Sequence, residues 1–195
     1  MLAAVILAAG ESRRMGAPKA LLPYQGRPFL EHLLHVTRHP KIGLTRVVLG
    51  PGAEEICAKL HLDPATVVIN PHWQQGQLTS IQAALGSLPE GAAHGILLCL
   101  VDHPLITSSV VSELIRNFYA SGKLVVLPTY NGRRGHPVIF SGKLFAELLA
   151  APLDKGARAV VWAHSADVLE VPTSEEGVVL NLNDPETLAR ALGHD

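Results

Sequence analysis

The alternation of short apolar runs with helical patterns constrains the fold of this 195-residue chain more than any other feature. The early runs are almost unbroken Val, Ile and Leu, as in parallel strands that helices cover on both faces. Strands are expected at residues 2–7, 46–49, 66–69, 95–101, 124–127, 138–140, 167–171 and 178–182. Helices are expected near residues 29–39, 53–62, 78–88, 108–120, 143–150, 157–163 and 185–192. The pattern predicts an α/β fold with a doubly wound, mostly parallel sheet flanked by helices, as a single domain over residues 1–195.

The composition fits a globular protein and narrows its partners. Apolar residues make up 48% of the chain, charged residues 17%, and the net charge is −1. Proteins that bind nucleic acid or anionic membranes usually carry a basic excess, so neither partner is expected. The N-terminal apolar run of about six residues is too short to span a bilayer, which makes a cytoplasmic location the expectation. Cys57 and Cys99 lack metal-site spacing and are expected to be buried thiols.

A loop rich in small and cationic residues follows the first apolar run. Gly10 and Gly16 can adopt positive φ, which lets successive backbone N–H groups point into one concavity. Arg13, Arg14 and Lys19 add three cations within seven residues. Bare amides and cations directly after a strand suit a polyphosphate. The spacing matches neither the Walker A motif nor the G-x-G-x-x-G fingerprint, so a surface loop with solvated charges is the alternative.

A second glycine-containing loop leads into the helical pattern near residues 78–88. Gly76, Thr79 and Ser80 offer backbone amides and hydroxyls that suit the base or ribose of a nucleotide. The alternative is that Thr79 or Ser80 is the N-cap of the helix.

Asp102 comes directly after the apolar run 95–101 and two residues before a proline. In open α/β sheets, ligands bind at the carboxyl ends of the strands. A carboxylate at this edge is a hard oxygen ligand suited to Mg²⁺. The alternative is that Asp102 caps the helix that begins near Ser108.

The segment 131–140 combines an Asn-Gly turn signal, two arginines and a Gly-His-Pro triplet ahead of an apolar run. Arg133 and Arg134 either attract an anionic substrate or form a solvated pair. His136 is expected to position a substrate rather than to act as a general base. Hydrogen bonding within the loop is the alternative for His136. Further on, Asp184 followed by Pro185 fits the N-cap and first residue of a last helix.

These motifs together resemble the nucleotidyltransferases of the molybdenum-cofactor group, the MobA-like NTP transferases, over nearly the whole chain. The opening signature Leu-Ala-Ala-Gly-x-Ser-x-Arg-Met-Gly-x-x-Lys is present as Leu7, Ala8, Ala9, Gly10, Ser12, Arg14, Met15, Gly16 and Lys19. The Gly-x-Leu-Thr-Ser pairing at 76–80 is most similar to the molybdenum cofactor cytidylyltransferases, which use CTP. The resemblance implies a Rossmann-like nucleotide-diphospho-sugar transferase fold.

The resemblance also implies roles for individual residues. Arg14, Lys19 and Asp102 would be catalytic, and Asp102 and Asn183 would hold Mg²⁺. The second substrate would lie near Gly135, His136 and Pro137. Nucleotide-binding residues would be Leu7, Ala8, Ala9, Gly10, Glu11, Ser12, Arg14, Lys19, Gly76, Thr79 and Ser80.

The chain departs from the family pattern in two of its motifs. Val101 and His103 replace Gly and Met beside Asp102. His103 either alters substrate contacts or lies exposed without a special role, and we expect the latter. Asn181 and Asn183 replace aspartates near the C-terminus, which leaves the second metal ligand open between these two residues and Asp184.

The implied reaction is Mg²⁺-dependent transfer of CMP from CTP to the phosphate of molybdopterin, with release of pyrophosphate. A molybdoenzyme would then be the recipient of the product. A molybdopterin guanylyltransferase that uses GTP and a sugar-phosphate nucleotidyltransferase are alternatives within the class. A non-catalytic nucleotide- or cofactor-binding chaperone is the alternative outside it.

Overall fold

The computed structural model describes residues 1–11 and 16–191. The strands are β1 (Leu2–Ala8), β2 (Pro23–Tyr24), β3 (Arg27–Pro28), β4 (Ile42–Leu49), β5 (Val67–Ile69), β6 (Gly95–Leu100), β7 (Val125–Tyr130), β8 (Arg133–Arg134), β9 (Val138–Ser141) and β10 (Val168–Pro172). The helices are α1 (Phe29–Val36), α2 (Ala53–Leu60), α3 (Gln77–Gly86), α4 (Ser108–Ser121), α5 (Phe145–Ala150), α6 (Arg158–Ala163) and α7 (Pro185–Ala191).

One mixed sheet organises these elements, and its strand order is β10-β7-β9-β6-β1-β4-β5, with β8 paired to β7. The neighbours β6, β1, β4 and β5 run parallel, and β10 is parallel to β7. Strand β9 runs antiparallel between β6 and β7. The predicted class is therefore confirmed, with helices on both faces of a mostly parallel sheet.

Strand β1 is buried along its whole length, which explains its unbroken apolar sequence. Successive side chains point to opposite faces, so Leu2 and Ile6 join one core cluster and Ala3, Val5 and Leu7 join the other. The first cluster includes residues of α1 and α4, and the second includes residues of α3 and α5.

The predicted strand at 178–182 is wrong. A 3₁₀ turn covers Glu176–Val178, and the residues that follow make no ladder. The carbonyl of Val178 accepts a hydrogen bond from the backbone of His136 (2.8 Å), and the N–H of Leu182 donates to the carbonyl of Asp102 (2.7 Å). Both apolar side chains are fully buried, which gave the segment its strand-like pattern.

The carboxyl ends of the parallel strands meet at one edge of the sheet. There the N–H of Val101 donates to the carbonyl of Leu7 (3.0 Å), which joins the chain that leaves β6 to the end of β1. A Cβ on Gly50 would lie 2.5 Å from the carbonyl oxygen of Ala9, so only glycine lets the chain leaving β4 pass this close. The loops that follow β1, β4 and β6 are therefore held together.

The two cysteines differ in burial. Cys99 is fully buried in β6, and burial raises the pKa of its thiol to about 12. Cys57 in α2 is only partly buried, so the expectation of two buried thiols holds for Cys99 alone. Within residues 1–11 and 16–191, no helix has the length and apolar character needed to cross a bilayer.

Candidate active site

The loop rich in small and cationic residues, which we call the opening loop, joins the end of β1 at the centre of the sheet to Lys19. Lys19 is the first residue of a 3₁₀ turn over Lys19–Leu21. Gly16 uses its conformational freedom and has a positive φ of 67°, whereas Gly10 does not adopt the left-handed region. The predicted phosphate ligands Ser12 and Arg14, with Arg13 and Met15, lie outside the described residues.

Two predicted site residues, Asp102 and Asn183, contact the ammonium group of a third, Lys19. The Nζ of Lys19 lies 3.5 Å from Oδ2 of Asp102 and donates a hydrogen bond to Oδ1 of Asn183. The side chains of Lys19 and Asp102 are 14% and 24% exposed, so the pair is shielded from water without being fully dehydrated. The sequence separation of 164 residues between Lys19 and Asn183 shows that the fold builds this contact.

The backbone around Asn183 fixes its place. The preceding N–H, that of Leu182, binds the carbonyl of Asp102. The following residue, Asp184, accepts from the backbone N–H and the hydroxyl of Thr187, both at 2.8 Å, which confirms it as the N-cap of α7. Asn181 is exposed. Asn183 is therefore the candidate second ligand whose side chain the structure brings to Asp102.

The arrangement fits a divalent cation. One carboxylate and one amide oxygen already surround a positive charge, and such hard oxygen donors suit Mg²⁺ or Mn²⁺. Among the described residues, no group of three or more His, Cys, Asp or Glu side chains could hold a metal. Mg²⁺ commonly takes one or two protein carboxylates and completes its shell with substrate phosphates and water. Asp102 and Asn183 match that partial set.

Two adjoining cavities lie on either side of Gly10 and Lys19. The loop cavity, about 280 Å³, is lined by Ala8 and Glu11 among other residues. The central cavity, about 220 Å³, has a lining made up of Leu7, Ala9, Gly10, Lys19, Trp73, Gln77, Ser80, Leu100, Val101 and Asp102. Most of the predicted nucleotide-binding residues that the structure describes therefore line the loop cavity or the central cavity.

Thr79 has a structural role. Its hydroxyl oxygen accepts from the amide of Asn70 (2.9 Å), and its single proton lies within reach of the carbonyls of His72 (3.0 Å) and Gly76 (2.8 Å). The hydroxyl of Ser80 also accepts from Asn70 (2.9 Å) but lines the central cavity. The N-cap alternative is wrong for both residues, because Gly76 occupies that position. Only Ser80 keeps a hydroxyl beside the cavity.

Asp102 is not a helix cap. Thr107 caps α4, and its hydroxyl oxygen accepts from the N–H of Val110 (3.3 Å). The expectation of an exposed His103 is also wrong, since this residue is only 7% exposed. Its Nδ1 is buried and has no hydrogen-bond partner among the described residues. Burial lowers the pKa of His103, so the ring is held in its neutral form near neutral pH.

His136 packs against His103, and the two ring centroids are 4.8 Å apart. Burial, followed by the neighbouring His103, lowers the pKa of His136 to about 4. A Cβ on Gly135 would lie 2.3 Å from the carbonyl oxygen of Val178, so glycine is required for this loop to pack. Arg133 and Arg134 lie exposed on β8, and Arg134 pairs with Glu170 at 2.7 Å.

The family model for the MobA-like NTP transferase domain matches residues 4–168 of the chain. The chain belongs to the MobA-like NTP transferase family. It is accordingly an enzyme of the nucleotidyltransferase class.

Two relatives and one solved protein are similar to this MobA-like NTP transferase over nearly their whole length. It is 30% identical to nicotine blue oxidoreductase of Paenarthrobacter nicotinovorans, over 96% of this chain and 95% of that protein. It is 31% identical to the molybdenum cofactor guanylyltransferase of Cereibacter sphaeroides, over 96% and 93%. The Rv0371c protein of Mycobacterium tuberculosis H37Rv has a similar structure, with 29% identity, 99% and 98% coverage and a TM-score of 0.82. That protein has also been solved in complex with manganese, with 28% identity, 100% and 99% coverage and a TM-score of 0.78.

Three features of this MobA-like NTP transferase were not expected from its sequence. Trp73 and Gln77 line the central cavity, although the loop pattern drew attention only to Gly76 and the hydroxyl residues. The contact between Lys19 and Asn183 and the packing of His103 on His136 join distant segments. The polar side chain of His103, three residues after the end of a buried strand, was the signal for the contact with His136.

Proposed function

We propose that this enzyme transfers a nucleotidyl group from a nucleoside triphosphate to the phosphate of a molybdopterin-type acceptor and releases pyrophosphate. The observation that carries the proposal is the contact of Lys19 with Asp102 and Asn183 beside the opening loop, at the edge where β1 and β6 end. This is the edge of the sheet where ligands bind in doubly wound folds. The proposed unit is a single domain over residues 1–195.

The proposed chemistry is electrostatic and positional. An oxygen of the acceptor phosphate forms a bond to the α-phosphorus while the bond to the departing pyrophosphate breaks. The amides of Ala9 and Gly10 hold phosphate oxygens, and Lys19 balances the negative charge that grows on the transferred group. Asp102 and Asn183 would hold a divalent cation, which would supply positive charge to the reacting phosphates. No protein base is needed, and the lowered pKa values of His103 and His136 make both rings weak bases.

Two nucleobases have support for the donor nucleotide. The resemblance of residues 76–80 to cytidylyltransferases supports CTP, and the Cereibacter sphaeroides relative, named as a guanylyltransferase, supports GTP. Thermal unfolding with CTP, GTP, ATP or UTP, each with and without Mg²⁺, separates them. A ligand at about 100 times its dissociation constant adds roughly 2.7 kcal/mol of stability, which a melting curve resolves. A Mg²⁺-dependent shift with a single nucleotide identifies the donor.

Pyrophosphate release on addition of molybdopterin then tests the reaction itself. Release that depends on acceptor, the identified nucleotide and divalent metal supports the proposal. Binding without release points instead to the cofactor-binding chaperone. Release with a sugar phosphate in place of molybdopterin points to a sugar-phosphate nucleotidyltransferase.

The relative named nicotine blue oxidoreductase supports a second candidate function, the reduction of a small organic substrate. That reaction requires a hydride donor in place of a triphosphate. The test follows oxidation of NADH or NADPH by the loss of the absorbance of the reduced nicotinamide. Consumption of NADH or NADPH in the presence of a quinonoid dye, without release of pyrophosphate, would favour the oxidoreductase.

A further inference from the structure

Asn70 is a buried polar residue directly after β5, and the chemistry proposed above does not use it. Only 2% of the residue is exposed. Its backbone N–H donates to the carbonyl of Leu49 (2.8 Å), which extends the pairing of β5 with the parallel strand β4 by one residue. The side chain of Asn70 is therefore held at the carboxyl edge of the sheet, where the candidate site lies.

The backbone fixes the orientation of the Asn70 amide. The N–H of His72 donates to Oδ1 of Asn70 (2.8 Å), and an N–H group can donate only to an acceptor. Nδ2 must therefore face the other way, where it lies 2.9 Å from the hydroxyl oxygens of Thr79 and of Ser80. Because an amide nitrogen only donates, both hydroxyl oxygens accept from it.

The two hydroxyl groups differ in what is left for their own protons. The proton of Thr79 lies within reach of the carbonyls of His72 (3.0 Å) and Gly76 (2.8 Å). The proton of Ser80 has no acceptor within residues 1–11 and 16–191, and Ser80 lines the central cavity. Since Asn70 occupies the oxygen of Ser80 from one side, the proton of Ser80 is available to a ligand in the central cavity.

Two groups of residues line the polar part of the central cavity. Lys19 and Asp102 contact each other, and the proposed function places the phosphates there. Trp73, Gln77 and Ser80 come from the 3₁₀ turn before α3 and from α3 itself. An indole ring is a surface on which a nucleobase stacks. The second group therefore suits the base of the donor nucleotide.

We propose that Asn70 is a positioning residue that determines how the donor nucleobase is recognised. It directs the proton of Ser80 into the central cavity, and Ser80 donates a hydrogen bond to a carbonyl oxygen or ring nitrogen of the base. Asn70 itself does not touch the substrate. A base acceptor requires a fixed donor, whereas a ribose hydroxyl group can donate or accept. This inference rests on the proposed function, because it takes the central cavity as the site of the nucleoside triphosphate.

Asn70→Asp tests the inference because it reverses the polarity of the network. A carboxylate only accepts, and the three donors around it favour its ionised form, so Ser80 must turn its proton away from the cavity. The oxygen of Ser80 then faces the base acceptor. Isothermal titration calorimetry with Mg²⁺ and with CTP or GTP gives the Kd. For whichever nucleotide binds the wild type, the Kd should rise about tenfold.

Two probes and one variant separate this effect from the added charge. Tripolyphosphate has neither base nor ribose, and 1-deoxyribose 5-triphosphate has a sugar without a base. Asn70→Asp should raise the Kd of each by only about twofold, the effect of a screened charge on the phosphates. Asn117→Asp makes the same change of charge in α4, where the amide of Asn117 donates to the carbonyl of Glu113 (2.9 Å). Asn117 does not line the central cavity, so all Kd values should be unchanged.

Ser80→Ala removes the donor without adding charge, and it decides the matter if Asn70→Asp does not fold. It should raise the Kd of the nucleotide about fivefold and leave that of tripolyphosphate unchanged. The melting temperature shows that each variant is folded. An unchanged nucleotide Kd in Ser80→Ala would overturn the inference. So would an equal effect of Asn70→Asp on the nucleotide and on either probe, because the variant would then act through charge or through the ribose.

The failure of this inference is distinguishable from the failure of the proposed function. If the wild type binds a nucleotide and releases pyrophosphate while Ser80→Ala leaves the Kd unchanged, nucleotidyl transfer stands and the role of Asn70 is wrong. If the wild type binds neither CTP, GTP nor tripolyphosphate, the proposed function fails and the inference fails with it.

Discussion

At the scale of single residues, the site depends on a charge that lies between two oxygen donors. Lys19 contacts the carboxylate of Asp102 and the amide oxygen of Asn183, and these two oxygens are those proposed to bind the metal. A divalent cation held by the same two oxygens would displace the ammonium from them. Lys19 would then be available to the phosphates, so the proposed metal binding and phosphate binding would be coupled through one side chain.

Replacing Lys19 by Ala should lower kcat on the order of 10²–10³-fold, because a preorganised charge that acts in the transition state is removed. Asp102→Ala should give a loss of similar size. Steady-state pyrophosphate release measures both, and circular dichroism checks that the fold is intact. Near-normal rates in folded variants would show that the reaction occurs elsewhere.

Replacing Asn183 by Asp should tighten binding of Mn²⁺ by about tenfold, since metal affinity rises with the number of charged oxygen ligands. Asn181→Asp makes the same change of charge at an exposed position two residues away and serves as the control. Titration of free Mn²⁺ by electron paramagnetic resonance gives both Kd values. The assignment of Asn183 fails if the two variants gain equally.

At the scale of elements, close packing of loops at the sheet edge sets the shape of the site. Gly50 follows β4 and lies against the backbone of Ala9, which begins the opening loop. Gly135 fits in the same way against Val178, and the segment after Val178 carries Asn183. The loops are therefore positioned by contacts between backbones, for which side-chain motifs give no signal.

Gly50→Ala should lower the free energy of unfolding by about 1–3 kcal/mol, because its Cβ would overlap a backbone oxygen that cannot rotate away. The displaced opening loop should also bind nucleotide more weakly. Gly86→Ala in α3 is the control: a Cβ there meets no atom within 4 Å, and alanine favours the helix. Urea unfolding of both variants is the measurement, and equal stabilities would contradict the packing argument.

At the scale of the whole molecule, hydrophobic periodicity predicted the fold class and most elements. The unbroken apolar sequence of β1 followed from its central place, and the Asn131–Gly132 turn joins β7 to β8 as its turn signal indicates. The segment 178–182 was misread because burial of Val178 and Leu182 against loops gives the same apolar pattern as a strand. Strand order was not predictable, because a one-dimensional pattern carries no information on which strands are neighbours.

The candidate site was likewise predictable in part. Asp102 was predictable because it lies close to the end of a buried strand, where a charged side chain needs a partner or a ligand. Lys19 was predictable because it belongs to the cationic segment that follows β1. The pairing of His103 with His136 was not, since it depends on β9 running alongside β6. The packing of Thr79 against Asn70 likewise depends on how one loop folds over the start of α3.

Global stability should fall as the pH decreases from about 6.5 to about 4. The pKa of His136 is about 4 in the folded protein, so the unfolded chain binds a proton in this window that the folded chain does not. Protonation therefore favours unfolding, by up to about 3 kcal/mol for a difference of roughly 2.5 pKa units. His103 adds a contribution of the same sign, which the nearby Asp102 partly offsets.

His136→Gln should flatten this pH dependence, and urea unfolding at pH 7, 6, 5 and 4.5 measures it. His103 and His32, whose pKa values burial also lowers, retain part of the slope in the variant. A variant as sensitive to acid as the wild type would show that His136 is solvated in solution.

The reversed direction of β9 has a consequence for how such enzymes diversify. Because β9 runs against β6, its amino end, with the loop from Gly135 to Pro137, reaches the same edge as the carboxyl ends of β1 and β6. If the loop after β1 holds the triphosphate and the loop before β9 holds the acceptor, as the family resemblance implies, the two substrates are bound by opposite ends of differently oriented strands. Mutations that remodel the loop before β9 could then leave the loop after β1 intact, so a lineage with this sheet could exchange one substrate while inheriting the other.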